Sequence, residues 1–144
     1  MRVLVQRSKK SSVSVNEKLV NEIEKGLVLL VGFTQKDTFE DVKKLAKKVV
    51  NLRIFDDEEG VMNKSILDIG GEILSISQFT LYANTKKGNR PSYIEALNGE
   101  EAIKLYEEFN KELNSYTTTK PGVFGAEMTV KITNDGPITI LLES

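Results

Sequence analysis

An uninterrupted apolar run near residue 30 limits the folds that this chain can adopt. Segment 27–33 has the sequence Leu-Val-Leu-Leu-Val-Gly-Phe, is opened by Gly26, and carries no charged or hydrogen-bonding side chain. A run this short, without polar alternation, is typical of a strand whose two faces are both covered. We therefore expect a sheet with this strand near its centre and with other elements packed on it.

Two segments have the periodicity of amphipathic helices that could cover such a sheet. One runs over about 38–50 and the other over about 99–113, with apolar residues at helical spacing in each. Lysines occupy the opposite face of the first segment, which we expect to face solvent. Both segments start with the spacing of a capping box. The pairs are Asp37 with Glu40, and Asn98 with Glu101.

Short apolar or alternating segments predict seven or eight strands, with a tight turn at Asn16-Glu17. The predicted strands are 2–15 with a break near residue 9, 19–23, 27–33, 52–55, 65–69, 73–81, 126–132 and 138–142. The fold class that follows is mixed α/β, with a mostly antiparallel, barrel-like β structure covered by the two helices. A length of 144 residues suits one domain, 1–144.

The chain contains no cysteine and no histidine, which excludes several kinds of chemistry. Disulfides, thiolate nucleophiles and cysteine-bound metals all need cysteine, and histidine is the commonest general base and metal ligand. A Ser-His-Asp or Cys-His triad is therefore excluded. We expect no metal and no cofactor, and any catalysis must use carboxylates, Tyr, Lys, backbone dipoles or groups of the substrate.

The charge balance and hydropathy limit the partners. A net charge of −1 argues against coating long nucleic acid, and we expect no DNA partner. Contact with one RNA end stays open, and Lys86-Lys87 with Arg90 is one candidate patch. No stretch approaches the ~20 apolar residues of a membrane span, and the N-terminus lacks the pattern of a signal peptide. We expect a cytoplasmic protein with no membrane contact.

Polar side chains interrupt the end of the predicted strand 73–81. The run Ser77-Gln78-Phe79-Thr80-Leu81 carries hydroxyl and amide groups, which cost roughly 1–3 kcal/mol each if buried without a partner. Either the neighbouring backbone satisfies these groups inside the sheet, or they face a pocket and bind a ligand. The basic segment 83–91 that follows is predicted to be a loop, either an ordinary one or a ligand clamp.

A second unusual stretch, Asn134-Asp135-Gly136-Pro137-Ile138-Thr139, predicts a turn before the closing strand. Pro137 cannot donate a backbone hydrogen bond, and Gly136 permits unusual backbone angles. Such a pair can present its carbonyl oxygens outward, where they could accept hydrogen bonds from an ammonium group. A plain hairpin turn is the alternative interpretation.

Together, the two stretches resemble the paired signature of the D-aminoacyl-tRNA deacylases, also known as the D-tyrosyl-tRNA deacylase family. Further similarity to that family extends essentially from end to end of the chain. It includes Val5–Arg7, Arg53–Phe55, Met62-Asn63, Gly88–Ser92 and Phe124–Met128. Ser8 departs from the family pattern, which has a small aliphatic residue at this position.

The resemblance implies a homodimeric enzyme that hydrolyses the ester between a D-amino acid and the tRNA 3′ end, releasing the free amino acid and tRNA. Each site would lie at the dimer interface. There Gly136 and Pro137 of the neighbouring subunit, joined by a cis peptide bond, would bind the amino group and exclude the L side chain. Arg7 would brace this turn. Glycine has no side chain to exclude, so glycyl-tRNA mischarged on tRNA(Ala) would also be a substrate.

The resemblance also implies a role for each residue of the first stretch. The Phe79 N–H and the Thr80 hydroxyl would lie beside the scissile carbonyl. The catalytic group would be Ser77, Gln78, Phe79 and Thr80. The pocket for the terminal adenosine would be lined by Gln78, Phe124 and Met128, together with Ser77.

The residue types present fit a substrate-assisted mechanism. The 2′-hydroxyl of the ribose lies next to the reacting carbonyl, and proximity of that kind can contribute roughly 7–11 kcal/mol. Backbone N–H groups can stabilise the oxyanion. Thr80 is then an orienting hydroxyl, and its use as a nucleophile is the alternative. Three rival functions stay open: a relative that edits another mischarged amino acid with a trans Gly-Pro bond, a non-catalytic module that binds the tRNA end, and a structural dimer.

Overall fold

Segment Gly26–Gly32 forms the central strand of the larger of two packed β-sheets, as its apolar run predicts. The computed structural model describes residues 1–144, which fold into ten strands and three α-helices. The strands are β1 Arg2–Ser8, β2 Ser11–Val15, β3 Lys18–Ile23, β4 Gly26–Gly32, β5 Phe55–Asp56, β6 Met62–Lys64, β7 Glu72–Ser77, β8 Thr119–Pro121, β9 Thr129–Lys131 and β10 Asn134–Glu143. The helices are α1 Phe39–Asn51, α2 Ile66–Ile69 and α3 Gly99–Tyr116, and a 3₁₀ helix spans Phe79–Tyr82.

The strand pairing is mostly antiparallel. The larger sheet has the strand order β10-β1-β4-β7-β8, and the smaller one the order β3-β2-β9, while β5 and β6 form a separate pair. Only β4 with β7, and β7 with β8, are parallel. Parallel strands need a long crossover connection, and here α1 lies in the first crossover and α3 in the second.

The larger sheet is covered on both faces. Leu27, Leu29 and Val31 of β4 belong to the main core, which also contains the buried faces of α1 and α3. Val28 points the other way, into a second cluster with Val13 of the smaller sheet. The prediction of a central strand between two layers, with two amphipathic helices as one of them, is confirmed. None of the helices is long and apolar enough to span a membrane.

The start of α1 differs by one residue from the prediction. The N-cap is Thr38, whose hydroxyl accepts from the N–H of Asp41, and the Asp41 carboxylate accepts in return from the N–H of Thr38. The predicted pair Asp37 and Glu40 is therefore wrong. Asp37 is used elsewhere, because its carboxylate accepts from the N–H of Thr34 at 2.7 Å. The second predicted N-cap, on α3, is confirmed.

Several strand predictions need correction. The predicted edge strand 65–69 is the short helix α2, since the Ser65 side chain caps it and Gly70 ends it with φ 64°. The predicted strand 73–81 ends at Ser77, where the 3₁₀ helix follows. The predicted strand 126–132 is reduced to β9.

Two turn predictions have different outcomes. Asn16 and Glu17 form the predicted tight turn, with φ of 50° and 65°. The stretch Asn134–Pro137 does not precede the closing strand but is its first part, since β10 begins at Asn134. Its pairing with β1 shifts register between Gln6 and Ser8, which lets the strand carry an irregular segment at this point.

Gly26 lies where β4 runs beside the start of β7, and we expect it to tolerate no side chain. Its φ is 153°, and a Cβ would lie 1.8 Å from the carbonyl oxygen of Glu72. Gly26→Ala should lower the free energy of unfolding by about 3 kcal/mol or more, as measured by urea denaturation. Gly60→Ala is the control, because Gly60 has φ 76° and no neighbouring atom within 4 Å. It should cost only about 1–2 kcal/mol of backbone strain, so equal losses would contradict the interpretation.

Candidate active site

A cavity opens where the parallel strands β4 and β7 end together. Its volume is about 560 Å³, and both Gly32 of β4 and Ser77 of β7 line it. Ligands of sheets with parallel strands commonly bind in the crevice outside the carboxyl ends of those strands. The lining residues are Val31, Gly32, Phe33, Ile76, Ser77, Gln78, Phe79, Tyr93, Ala96, Leu97, Gly99, Ala102, Phe124, Gly125, Ala126, Met128 and Val130.

The cavity is mainly apolar, with a small polar edge. Small residues from the start of α3 and from the segment after β8 leave the space open, among them Gly99, Ala102 and Ala126. Ser77 and Gln78 supply polar groups at one side. An apolar cavity with a few placed polar groups suits a flat, weakly polar ligand such as an aromatic ring system.

The chain makes a tight turn at the polar edge. The N–H of Gln78 donates to the Val31 carbonyl at 2.7 Å, which is the last bond of the parallel ladder, and the 3₁₀ helix begins one residue later. Gly32 permits this turn, because a Cβ there would lie 2.9 Å from the Gln78 carbonyl oxygen. This close approach between distant segments is the reason why Phe79 to Leu81 do not continue the strand.

The turn leaves two backbone donors free beside the cavity. A helix cannot satisfy its own first N–H groups, and the N–H groups of Phe79 and Thr80 donate to no acceptor in the protein. The Phe79 side chain is 57% exposed and lines the cavity. Free amides at a pocket edge can stabilise negative charge that develops on a carbonyl oxygen.

Thr80 lies beside the cavity and does not line it. Its hydroxyl oxygen accepts a hydrogen bond from Nε2 of Gln78 at 2.5 Å. That amide is its only hydrogen-bond partner in the protein, and an amide cannot take a proton from a hydroxyl. The geometry therefore provides Thr80 with an orienting partner but with no activating base.

A buried tyrosine packs against Phe124 in the wall of the cavity. The Tyr106 hydroxyl donates to the Ser75 carbonyl at 2.6 Å, and its ring centroid lies 5.7 Å from that of Phe124. Burial raises the pKa of the Tyr106 phenol, which keeps it neutral and a donor. Sequence patterns place Tyr106 in the apolar face of α3, and the only signal of its role is that a buried tyrosine hydroxyl requires a partner.

The irregular segment around Gly136 and Pro137 at the start of β10, called the turn below, lies against Arg7. A Cβ at Gly136 would lie 3.0 Å from Nη2 of Arg7, and the Arg7 Nε lies 3.2 Å from the Asp135 carboxylate. Arg7 Nη1 also donates to the Ile54 carbonyl at 2.9 Å. The Gly136-Pro137 peptide bond is cis, and both residues are exposed.

Within one chain, the predicted site residues form two separate groups. Arg2 contacts the group that contains Thr80, because its Nη1 donates to the carbonyl of the next residue, Leu81, at 2.7 Å. Arg7 holds the turn of the second group. Arg2 and Arg7 are five residues apart on β1, which is about 17 Å along a strand.

The first group consists of Thr80, which lies beside the cavity, and of five residues that line it: Ser77, Gln78, Phe79, Phe124 and Met128. The second group is Arg7, Gly136 and Pro137. Sequence patterns did not mark Tyr93, which lines the cavity and packs edge-on against Phe79 with ring centroids 5.0 Å apart.

Comparison with known proteins gives consistent matches over the whole chain. A family model described as D-Tyr-tRNA(Tyr) deacylase matches residues 4–143. A protein of Clostridium novyi (strain NT) named D-aminoacyl-tRNA deacylase is 57% identical, over 100% of this chain and 97% of the relative. A protein of the same name from Clostridium acetobutylicum is 52% identical with the same coverage.

Solved structures match the fold equally completely. One named "c-Myc DNA Unwinding Element Binding Protein" has a TM-score of 0.95 and 40% sequence identity, covering 100% of this chain and 99% of that one. A second, described as a probable eukaryotic D-amino acid tRNA deacylase, has a TM-score of 0.84 at 17% identity, covering 98% and 97%. The predicted mixed α/β fold class is confirmed.

Proposed function

The chain belongs to the D-Tyr-tRNA(Tyr) deacylase family, and from this premise we propose that it hydrolyses the ester between a D-amino acid and the tRNA 3′ end. The observation that carries the proposal is the apolar cavity with the free N–H group of Phe79 at its edge and that of Thr80 beside it. Residues 1–144 would act as one deacylase domain in the cytoplasm, and the products would be the free amino acid and tRNA.

The terminal adenosine would occupy the cavity. Its base fits between Phe124 and Met128, which are apolar, and Gln78 and Ser77 offer polar groups at the edge. The ester carbonyl would then lie beside the 3₁₀ turn, where the Phe79 N–H can donate to the developing oxyanion.

The nucleophile would be activated by the substrate. Thr80 has no base within hydrogen-bond distance, and among the residues that line the cavity only Tyr93 carries a titratable group. The 2′-hydroxyl adjacent to the ester is the remaining group that can orient or activate the attacking water. Thr80, held by Gln78, would position the ester.

The chirality filter would come from a second copy of the chain. Gly136 and Pro137 are exposed and lie at the opposite end of β1 from the cavity, too far to act on a ligand bound there in the same subunit. In a two-fold dimer the same patch serves both subunits, so each turn can enter the partner's cavity mouth. Leu141 of β10, an apolar side chain that is 49% exposed, could be buried in such an interface.

The partner's turn would select by exclusion. The carbonyl oxygens of Gly136 and Pro137 would accept hydrogen bonds from the substrate ammonium group, and the backbone would occupy the space of an L side chain. Arg7 would hold the turn in place through Asp135. Glycine that is mischarged onto tRNA(Ala) would pass the same filter, because it has no side chain.

The name of one solved relative refers to DNA. Nothing in the charge of this chain favours a similar partner, since its net charge is −1 and duplex binding depends on many phosphate contacts. We therefore propose an RNA end, and not a DNA duplex, as the ligand.

The proposed activity predicts selection by handedness. The purified protein should hydrolyse D-tyrosyl-tRNA at least about 100-fold faster than L-tyrosyl-tRNA, because only the L side chain meets the partner's turn. Glycyl-tRNA(Ala) should also be hydrolysed. The measurement is release of labelled amino acid over time, and equal rates for the D and L forms would refute the proposal.

The substrate-assisted mechanism predicts a contrast between two changes. Replacing the terminal 2′-hydroxyl by hydrogen should lower kcat/KM by at least about 10⁴-fold, since the proximity effect is lost. Thr80→Ala removes one positioning contact and should cost at most about tenfold. If the variant is inactive while the deoxy substrate is still hydrolysed, Thr80 is the nucleophile.

A site that combines the cavity of one subunit with the turn of the other predicts complementation between two inactive variants. Ala126→Trp should fill the cavity, and Gly136→Val should distort the turn at φ 112°. A refolded equal mixture should recover about one quarter of wild-type activity, because half of the dimers are mixed and each mixed dimer has one intact site. A mixture that stays inactive would place both groups in a single-chain site.

A further inference from the structure

Positive charge is concentrated in the basic loop, which we define as residues 85–91. It contains Lys86, Lys87 and Arg90 and no acidic residue, although the chain as a whole has a net charge of −1. All three side chains are exposed, and none takes part in an ion pair. The basic loop thus offers three free cations on one short segment.

Both ends of the basic loop are fixed at the cavity mouth. The chain enters it from the 3₁₀ helix, and the backbones of Asn84 and Ser92 close it with hydrogen bonds of 2.8 and 2.9 Å. The next residue, Tyr93, lines the cavity and contacts the Phe79 ring. The basic loop is therefore anchored beside the proposed adenosine pocket.

The chain length limits how far the charges can lie from this anchor. Lys86 and Arg90 are two residues from the closing pair and Lys87 is three, so their Cα atoms lie within about 11 Å of it, given a reach of at most 3.3–3.6 Å per residue. The lysine and arginine side chains add further reach. All three cations therefore stay next to the cavity mouth.

We propose that the basic loop binds phosphates of the nucleotides that precede the terminal adenosine in the single-stranded tRNA 3′ end. The proposal rests on the proposed function, which places that adenosine in the cavity. The strand leaving the cavity must pass its mouth, where Tyr93 (41% exposed) and Phe79 present ring surface for stacking of a base and the basic loop presents cations.

Salt dependence tests this proposal directly. Each phosphate contact to a single strand contributes about 0.7 to the slope of log K against log salt. Replacing Lys86, Lys87 and Arg90 by Gln should reduce the slope for binding of uncharged tRNA by about 2. Raising salt from about 50 to about 200 mM should then weaken wild-type binding about 16-fold more than variant binding.

A matched variant controls for the change in net charge. Lys43, Lys44 and Lys47 on α1 are also exposed and free of ion pairs. Their replacement by Gln removes the same charge and should leave the slope within about 0.5 of the wild-type value. An equal loss of slope in both variants, or no loss in the loop variant, would overturn the inference.

Hydrolysis assays separate this inference from the proposed function. The loop variant should show a reduced ratio of kcat/KM for D-tyrosyl-tRNA to kcat/KM for D-tyrosyl-adenosine, which lacks the preceding phosphates. A wild-type protein that hydrolyses neither ester but keeps a loop-dependent salt slope would refute the deacylase function and support the binding surface. Hydrolysis of both esters, with an unchanged ratio and slope, would refute the binding surface alone.

Discussion

The parallel pairing of β4 with β7 determines where this molecule can hold a ligand. The two strands run in register from Gly26 and Glu72 to Val31 and Ser77, so both end at the same edge of the sheet. Their crossover through α1 lies on one face, and the chain after β7 turns away at Gln78. A crevice must remain at that edge, because neither strand continues to fill it. The apolar cavity and the free N–H groups lie at this edge, and the basic loop is anchored beside them.

Strand β1 connects the cavity to the second group of site residues. Near its start, the Arg2 guanidinium lies 4.5 Å from the ring of Tyr82 and donates to the Leu81 carbonyl, which fixes the 3₁₀ turn. Near its end, Arg7 packs against Gly136. A strand is an extended and stiff spacer, so the two groups cannot approach each other within one subunit. A function that uses both groups at one ligand would therefore need a second chain, and the proposed two-fold dimer would supply it without a new element.

Much of this fold could be predicted from periodicity, but the cavity could not. The run 27–33 and the apolar faces of α1 and α3 are long, regular patterns, and the structure has them nearly as predicted. Segment 65–69 is also apolar, but the Ser65 side chain caps its start and Gly70 ends it, so it forms the short helix α2. The turn at Gln78 depends on Gly32, a residue 46 positions earlier in the sequence. The resemblance predicts which residues form the site, whereas their separation into two groups depends on the tertiary arrangement along β1.

The chemistry of the cavity follows from what lines it. Its polar edge consists of a hydroxyl, an amide and backbone groups, and the buried Tyr106 beneath it stays neutral because burial raises its pKa. None of these groups can act as a general base near neutral pH. A site of this composition can bind, orient and stabilise developing charge, which fits the proposal that the remaining chemical group arrives with the substrate. Selectivity then depends on which substrates fit. In the proposed dimer, an acyl group that places its side chain against the partner's turn would be rejected by shape, so discrimination would require no charged residue at the reacting centre.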